Sequence, residues 1–443
     1  MIAGTLSQSN SSAHRRTRSR TAPQAGRDIC VTGLAWTTAL GTDTTEVWQR
    51  LLRGETGIRE VPSGMPLRSQ LAAAVDLAGV DQAASPYERH VALAAMTATA
   101  ALRDAERAAE DVGLLVVGTS LGPHLDDESE VSLHAWAEWV AARIGVRRPP
   151  ISVSTACSSG ADAILTAATL LRAGVADVCL CGGIDLLTNG KKLGHSVLST
   201  MSPTMIRPFD QHRDGTLLGE GAGFLVLETR EAVRSRGGQI WGYVRGWGGS
   251  NDAAGPTAPD SSGAGAALAI GRALSRAKVG PGDIAVINAH GTGTLSNDAA
   301  EADCYSRLFG SGARRPVVFA TKAALGHTLG ATGAIEAILT LLALHYQIVP
   351  PVVQSRQVIQ RLSLPLPTRQ PLPFNGALGI SLTLGFGGFN TCLVFERGNR
   401  TAADGEGGRT AADGEGRRTA AGGRGRRTAA DRATRAVQRT GGM

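Results

Sequence analysis

From residue 28 to residue 396 the chain alternates short, almost wholly apolar runs with longer stretches of helical spacing, and no other feature limits its fold so tightly. Apolar runs at 28–33, 113–118, 151–154, 178–181 and 224–227 read as strands. Between them, 45–54, 85–109 and 161–173 carry apolar residues at helical intervals. A second series follows, with strands at 241–247, 284–289, 317–320, 379–383 and 392–395 and helices at 263–277 and 330–345. Strands this uniformly apolar are buried on both faces, so the pattern calls for an α/β fold whose sheets lie between helices. Aromatic residues make up only 4% of the chain, so aliphatic side chains must fill the core. The two series pass through similar element orders, which hints at an internal duplication, although no residue-level repeat stands out.

The net charge of +7 over 443 residues belongs to the ends. Residues 1–27 hold five arginines and no acid, and residues 397–443 hold eleven arginines against five acids, which leaves 28–396 at −4. The C-terminal end repeats with period nine from Arg400, Arg409, Arg418 and Arg427 and carries almost no large apolar residue. Such segments cannot bury a core, so 1–27 and 397–443 are expected to be disordered. Without interleaved aromatics for base stacking, the basic ends are a weak argument for nucleic-acid binding. The N-terminal arginines and serines lack a hydrophobic stretch, which argues against a secretory signal, and their acid-free composition resembles a transit peptide. No run approaches ~18 consecutive apolar residues, so no membrane span is expected. Six scattered cysteines with no CxxC pair read as reduced thiols of a cytoplasmic protein.

Chemistry concentrates on three loops that each follow an expected strand. Cys157 lies in Ser154-Thr-Ala-Cys-Ser-Ser-Gly160, between a strand and a helix. A helix N-terminus favours a thiolate, and the small neighbours permit a sharp turn and close approach of a substrate. The competing reading is a buried core thiol, which is how Cys30, Cys179 and Cys181 are read. His290 lies in Asn288-Ala-His-Gly-Thr-Gly-Thr294, and His327 in Thr321-Lys-Ala-Ala-Leu-Gly-His-Thr-Leu-Gly-Ala331. In open α/β sheets such loops at strand ends form the site. One thiol and two imidazoles on three loops fit thioester chemistry better than zinc, which takes more closely spaced ligands. Either histidine taken alone could equally be a structural hydrogen-bonding residue.

Together these segments resemble the β-ketoacyl-[acyl-carrier-protein] synthases, the elongating Cys-His-His condensing enzymes. Arg207-Pro-Phe-Asp210, Asp214-Gly, Gly219-Glu-Gly-Ala-Gly223 and Gly385-Phe-Gly-Gly388 match the same family, and the resemblance runs from about Asp28 to Glu396. It implies the thiolase fold: two duplicated βαβαβαββ halves, 28–240 with the nucleophile and 241–396 with the two histidines, in a five-layered αβαβα arrangement. It implies Cys157 as the nucleophile that takes an acyl chain, with an oxyanion hole from the backbone N–H groups of Cys157 and Phe386. His290 and His327 would stabilise the enolate as malonyl-acyl carrier protein loses CO2, supported by Lys322 with Glu336 as its partner and by Glu301. Thr292 and Thr294 would touch the phosphopantetheine arm. His195, Gly385, Phe386, Gly387 and Gly388 would form the acyl pocket and its gate. No cofactor or metal is implied on the chain itself; phosphopantetheine rides on the acyl carrier protein, the implied partner. A homodimer or a heterodimer with a related synthase subunit is implied as well.

Several departures bear on the substrate. The interval from Val31 to Cys157 is short for the family, with the missing part between Gly122 and Pro150. Ser381-Leu-Thr-Leu-Gly precedes the gate glycines where relatives often read Ser-Asn-Ser-Phe-Gly. The segment from Asn251 to Thr257 lacks a histidine that relatives often have. His195 stands where relatives usually carry a phenylalanine, so either the acyl group is more polar or the pocket is repacked. These features point to specialised, polyketide-type metabolism. Lys191, Lys192, Arg207 and Arg213 are candidates for a basic patch that docks an acidic carrier. The rival functions are a non-condensing acyltransferase on the same fold and one subunit of a heterodimeric synthase.

Overall fold

The computed structural model describes residues 28–77, 85–126, 131–312 and 315–400. The two basic ends, 1–27 and 401–443, lie outside them. The first half of the chain runs β1 (Ile29–Thr37), α1 (Thr44–Leu52), β2 (Arg59–Glu60), β3 (Leu71–Ala72), α2 (Pro86–Asp104), β4 (Leu114–Gly118), α3 (Leu133–Ile144), β5 (Ile151–Val153), α4 (Ser159–Arg172), β6 (Val178–Asp185), α5 (Asn189–Val197), β7 (Gly221–Thr229) and α6 (Arg230–Arg236). The second runs β8 (Gly242–Asn251), α7 (Ala264–Ala277), β9 (Ile284–Asn288), α8 (Leu295–Phe309), β10 (Val317–Phe319), α9 (Lys322–Leu325), α10 (Thr332–Tyr346), β11 (Ile348–Val349), β12 (Leu372–Pro373), β13 (Leu378–Gly385) and β14 (Phe389–Arg397).

Ten strands share one hydrogen-bonded order, β10-β9-β13-β14-β8-β1-β7-β6-β4-β5. Omitting the short two-residue strands, each half reads from its outer edge as third, second, fourth, fifth and first strand. The directions match too: β4 is parallel to β5 and β6, and β9 to β10 and β13, while β7 and β14 run antiparallel to their neighbours. The halves meet where Ile29–Val31 pairs with Gly242–Val244. Helices α2 and α3 cover the outer face of the first half, α7 and α8 that of the second, and α4 packs on α10 between the sheets. This is the five-layered α/β arrangement, and the duplication hinted at in the element order is explicit in its topology.

The strands are buried along nearly their whole length, as their apolar composition requires. The segment Leu329–Tyr346 is apolar enough over 18 residues to cross a membrane, yet 89% of it is buried inside the fold as the central helix. Five helices, α3, α5, α6, α8 and α9, escape the sequence reading. In α8 the reason is physical: Asp298 and Glu301 face inward, fully buried, and break the apolar periodicity that marks a core helix. The helix expected over 85–109 stops at Asp104, where Glu106 takes a left-handed φ of 53°. Residues 397–400, expected to belong to the tail, are part of the fold. Arg397 ends β14, and Arg400 pairs with Asp104 at 3.0 Å while its guanidinium lies 4.1 Å from the Trp241 ring centre.

Candidate active site

Cys157 sits in the turn between β5 and α4, two residues before the helix starts. Ala156 holds a left-handed φ of 52°, unusual for a residue with a side chain, and this turns the thiol inward from the helix N-terminus. Asp162, one turn into α4, locks the turn: it accepts from Thr155 Oγ1 at 2.6 Å, Ser158 Oγ at 2.9 Å and Thr391 Oγ1 at 2.5 Å. The last bond ties the nucleophile turn to the second half. The sequence reading overlooked Asp162; a lone acid in the first turn of a small-residue helix was the available signal.

The loop after β13 closes over the thiol. A Cβ placed on Gly385 would stand 3.0 Å from Thr155 O and 3.4 Å from Cys157 N, so a glycine is what lets the backbone approach. The Phe386 N–H lies near enough to the Cys157 sulfur to favour its thiolate. Cys157 is otherwise packed against Leu218 and Leu329. That burial pushes its thiol up to about 12, against the pull of Lys322 and the Phe386 N–H. Burial thus works against the thiolate that the helix terminus was expected to favour.

His290 and His327 lie with their rings 5.3 Å apart and nearly perpendicular. The Lys322 ammonium stands 3.2 Å from His290 Nδ1, also bonds the His290 carbonyl, and pairs with buried Glu336. An ammonium can only donate, so His290 Nδ1 accepts and Nε2 carries the proton. His327 is fixed alike: the Leu329 N–H donates to its Nδ1 at 3.3 Å, with Thr332 Oγ1 at 3.1 Å. Burial, and then Lys322, hold both imidazoles well below the usual histidine range, so both are neutral N–H donors at pH 7. Burial lifts the Glu336 carboxyl to about 7, with Lys322 opposing.

Glu301 does not face the cavity. It accepts from the N–H groups of His290 (2.8 Å) and Gly291 (2.7 Å), from Asn297 Nδ2 (2.7 Å) and from the Tyr305 hydroxyl (2.6 Å), and so holds the His290 loop by its backbone. Asp298 ties that loop to the Arg207-to-Asp210 motif through the Phe209 N–H at 2.7 Å. Gly219 lets the His327 turn approach: its N–H donates to His327 O at 2.8 Å, and a Cβ there would meet Leu325 O at 2.6 Å.

Cys157, His290 and His327 line one cavity of about 300 Å³. Thr292 and Thr294 are on its wall, their hydroxyls 2.9 Å apart, as are His195, Gly385 and Phe386. Gly387 and Gly388 follow with left-handed φ angles of 83° and 81° and turn the loop back into β14. Asp214, from the Asp214-Gly motif, and Asp252, from the segment that lacks the histidine, also line the cavity, as does Asn390, which no motif singled out. The four basic docking candidates divide. Lys191 and Lys192 are buried, Lys191 as the ion-pair partner of Asp185, because the first turns of α5 point into the fold. Arg213 instead donates to the carbonyls of Thr294 (3.3 Å) and Leu295 (3.1 Å) beside the cavity, and Arg207 reaches Asp214 at 3.5 Å.

The beta-ketoacyl synthase N-terminal domain model matches residues 26–232, and the C-terminal domain model matches residues 241–356. The chain belongs to the β-ketoacyl synthase family. It is 34% identical over 411 residues to the 3-oxoacyl-[acyl-carrier-protein] synthase 2 of Mycobacterium tuberculosis, covering 83% of this chain and 97% of that one. Among solved structures it superposes on a β-ketoacyl synthase from Burkholderia phymatum with a TM-score of 0.76 at 29% identity, covering 84% of this chain and all of the other. The ishigamide ketosynthase/chain length factor gives a TM-score of 0.77 at 28% identity, covering 84% and 99%.

Proposed function

We propose that the protein joins a Cys157-bound acyl chain to a malonyl unit by decarboxylative Claisen condensation, in a polyketide-type or fatty-acid pathway. The observation that carries this reading is the pair of neutral histidines, each with Nδ1 occupied and Nε2–H left for the cavity that holds the thiol. An acyltransferase without a decarboxylation step has no use for two such donors. The Cys157 sulfur attacks an acyl-carrier thioester, and the N–H groups of Cys157 and Phe386 receive the developing oxyanion. The carrier thiol departs with the proton that Cys157 loses, so the exchange needs no net base. A malonyl thioester then loses CO2 while Nε2–H of His290 and His327 donate to its enolate oxygen. The enolate carbon attacks the acyl carbonyl and displaces the Cys157 thiolate.

Lys322 acts as a positioning residue for His290, with Glu336 as its counter-charge, and Glu301 positions the same loop. Thr292 and Thr294 offer hydroxyls where an amide-bearing phosphopantetheine arm, brought by an acyl carrier protein, would enter. The protein works as a dimer with its own copy or with a related synthase chain: β5 is an edge strand, half-exposed, and a relative in the fold is a ketosynthase/chain length factor. Six free cysteines, all buried, support a reducing, cytoplasmic setting. The test is intact-mass detection of acyl-Cys157 followed by CO2 release from malonyl-carrier. Cys157→Ala is expected to lose the adduct and to lower condensation by at least about 10⁴-fold, as removal of a covalent nucleophile does. An adduct that persists in Cys157→Ala would reject the assignment.

A further inference from the structure

One imidazole on the cavity wall, His195, takes no part in the chemistry above. It leaves the last turn of α5 and lines the cavity with Cys157 and His327. Its ring stacks on Phe386 at 5.4 Å between centroids and 23° between planes, so one face is covered and the ring edge is what remains. On that edge, Nδ1 is 2.9 Å from Thr200 Oγ1, and the Thr200 hydroxyl donates to the His195 carbonyl at 3.1 Å. A hydroxyl has one proton. With that proton on the carbonyl, Thr200 accepts from Nδ1–H, and Nε2 keeps its lone pair. Among the described residues Nε2 has no hydrogen-bond partner. Burial, then the neighbouring Lys191 charge, hold the ring below the usual histidine range at about 4, so it stays neutral in the working range.

We infer that His195 is a specificity-determining residue that accepts a hydrogen bond from the acyl group on Cys157, selecting chains that carry a hydroxyl or amide N–H over plain alkyl chains. This rests on the acyl-Cys157 reading above. Its physical basis is an acceptor that is desolvated by an alkyl chain and satisfied by a donor-bearing one; sites built this way reject the analogue lacking the donor far more strongly than an apolar pocket rejects an added hydroxyl. The stack on Phe386 makes the choice consequential, because Phe386 N–H also serves the thiol.

The test compares acylation of Cys157 by hexanoyl- and 3-hydroxyhexanoyl-pantetheine, read by intact mass, in the wild type, His195→Phe and His195→Gln. The wild type is expected to favour the hydroxy thioester. His195→Phe should lower the hydroxy-to-alkyl rate ratio by about tenfold or more while both thioesters still acylate. His195→Gln, whose side-chain carbonyl restores an acceptor, should keep the ratio within about threefold of wild type. An unchanged ratio in His195→Phe, or a wild type that prefers the alkyl chain, would overturn the inference and leave the condensing function standing. Failure of both thioesters to acylate Cys157 in every form would overturn the two readings together.

Discussion

The turn that opens α4 and the turn that opens α10 occupy the same place in the two halves, after the third strand of each, and they do different work. Counting back five residues from Ala161 and from Ala334 reaches Ala156 and Leu329, with left-handed φ angles of 52° and 51°. Each turn then runs into a helix beginning Ser-Gly-Ala at 159–161 or Thr-Gly-Ala at 332–334. The position after the strained residue is Cys157 in one half and Gly330 in the other. One turn therefore presents a nucleophile. The other presents His327 just ahead of the strain, and its Gly330 N–H goes to buried Asp185 across the interface at 2.8 Å. The duplicated scaffold keeps its strain and its helix crossing and changes the side chain on offer. What differs is the support: the Cys157 turn is held by hydroxyls and Asp162, whereas the histidines are held by a buried ammonium, its carboxylate and a backbone N–H.

That difference can be broken by removing the ammonium. Lys322→Met leaves His290 Nδ1 without its donor, so the tautomer with Nε2–H loses its preference. Condensation should fall by about 10²–10³-fold, the usual cost of a lost donor at a developing oxyanion, while acylation of Cys157 stays within about tenfold. The single substitution also removes the ammonium that opposes the rise of the Glu336 carboxyl, so Glu336 takes up a proton at neutral pH and loses its buried partner. The double variant Lys322→Met with Glu336→Gln separates fold from function. It should unfold near the wild-type denaturant midpoint and remain defective in condensation. Equal losses in acylation and condensation would show that the two supports are not separate.

The shared part of the comparison is tested at the helix crossing. A Cβ on Gly333 would lie 2.6 Å from both the N and the Cβ of Ala161. One on Gly271, in the exposed stretch of α7, would meet nothing within 4 Å. Helix propensity alone favours alanine at either position by about 1 kcal/mol. Overpacking at the crossing costs up to about 3 kcal/mol, so it wins at Gly333. Gly333→Ala should lower the stability measured by urea unfolding by about 2 kcal/mol, and Gly271→Ala should raise it by up to about 1 kcal/mol. A neutral Gly333→Ala would mean that the halves can part at the crossing without strain.

Much of this was legible in the sequence because it is local. Continuous apolar runs such as 114–118 and 284–288 announce buried strands, and Cys157 among small residues, with His290 and His327 beside glycines, mark strand-end loops. The remainder depends on residues far apart in the chain. Asp162 meets Thr391, Asp185 meets Gly330, and Glu220 takes Arg89 into the same half; nothing at either partner signals the other. Lys191 and Lys192 look like surface charge until a buried Asp185 is placed beside one of them. The repeat between the halves showed only as a similar element order for a different reason: at these turns it survives in a Ser/Thr-Gly-Ala triplet and a backbone angle, and only the triplet is written in residues.

The smallest expected effect concerns the thiol itself. Because burial raises Cys157 and only Lys322 and the Phe386 N–H oppose it, the thiol is protonated at neutral pH. Its thiolate fraction grows about tenfold per pH unit until the raised value is approached. Alkylation by iodoacetamide, followed by mass spectrometry, should therefore climb about tenfold per unit from pH 6 to pH 9 with no plateau. His290 and His327, held neutral well below their ordinary range, should add no inflection near pH 6.5. Lys322→Met should shift the same line to slower rates without changing its slope, since it removes the nearby positive charge. A plateau below pH 8 would mean that the helix N-terminus outweighs desolvation and that the Cys157 turn carries its own activation. An inflection near 6.5 would mean that an imidazole titrates in the working range, and the two halves would then be coupled by a proton as well as by packing.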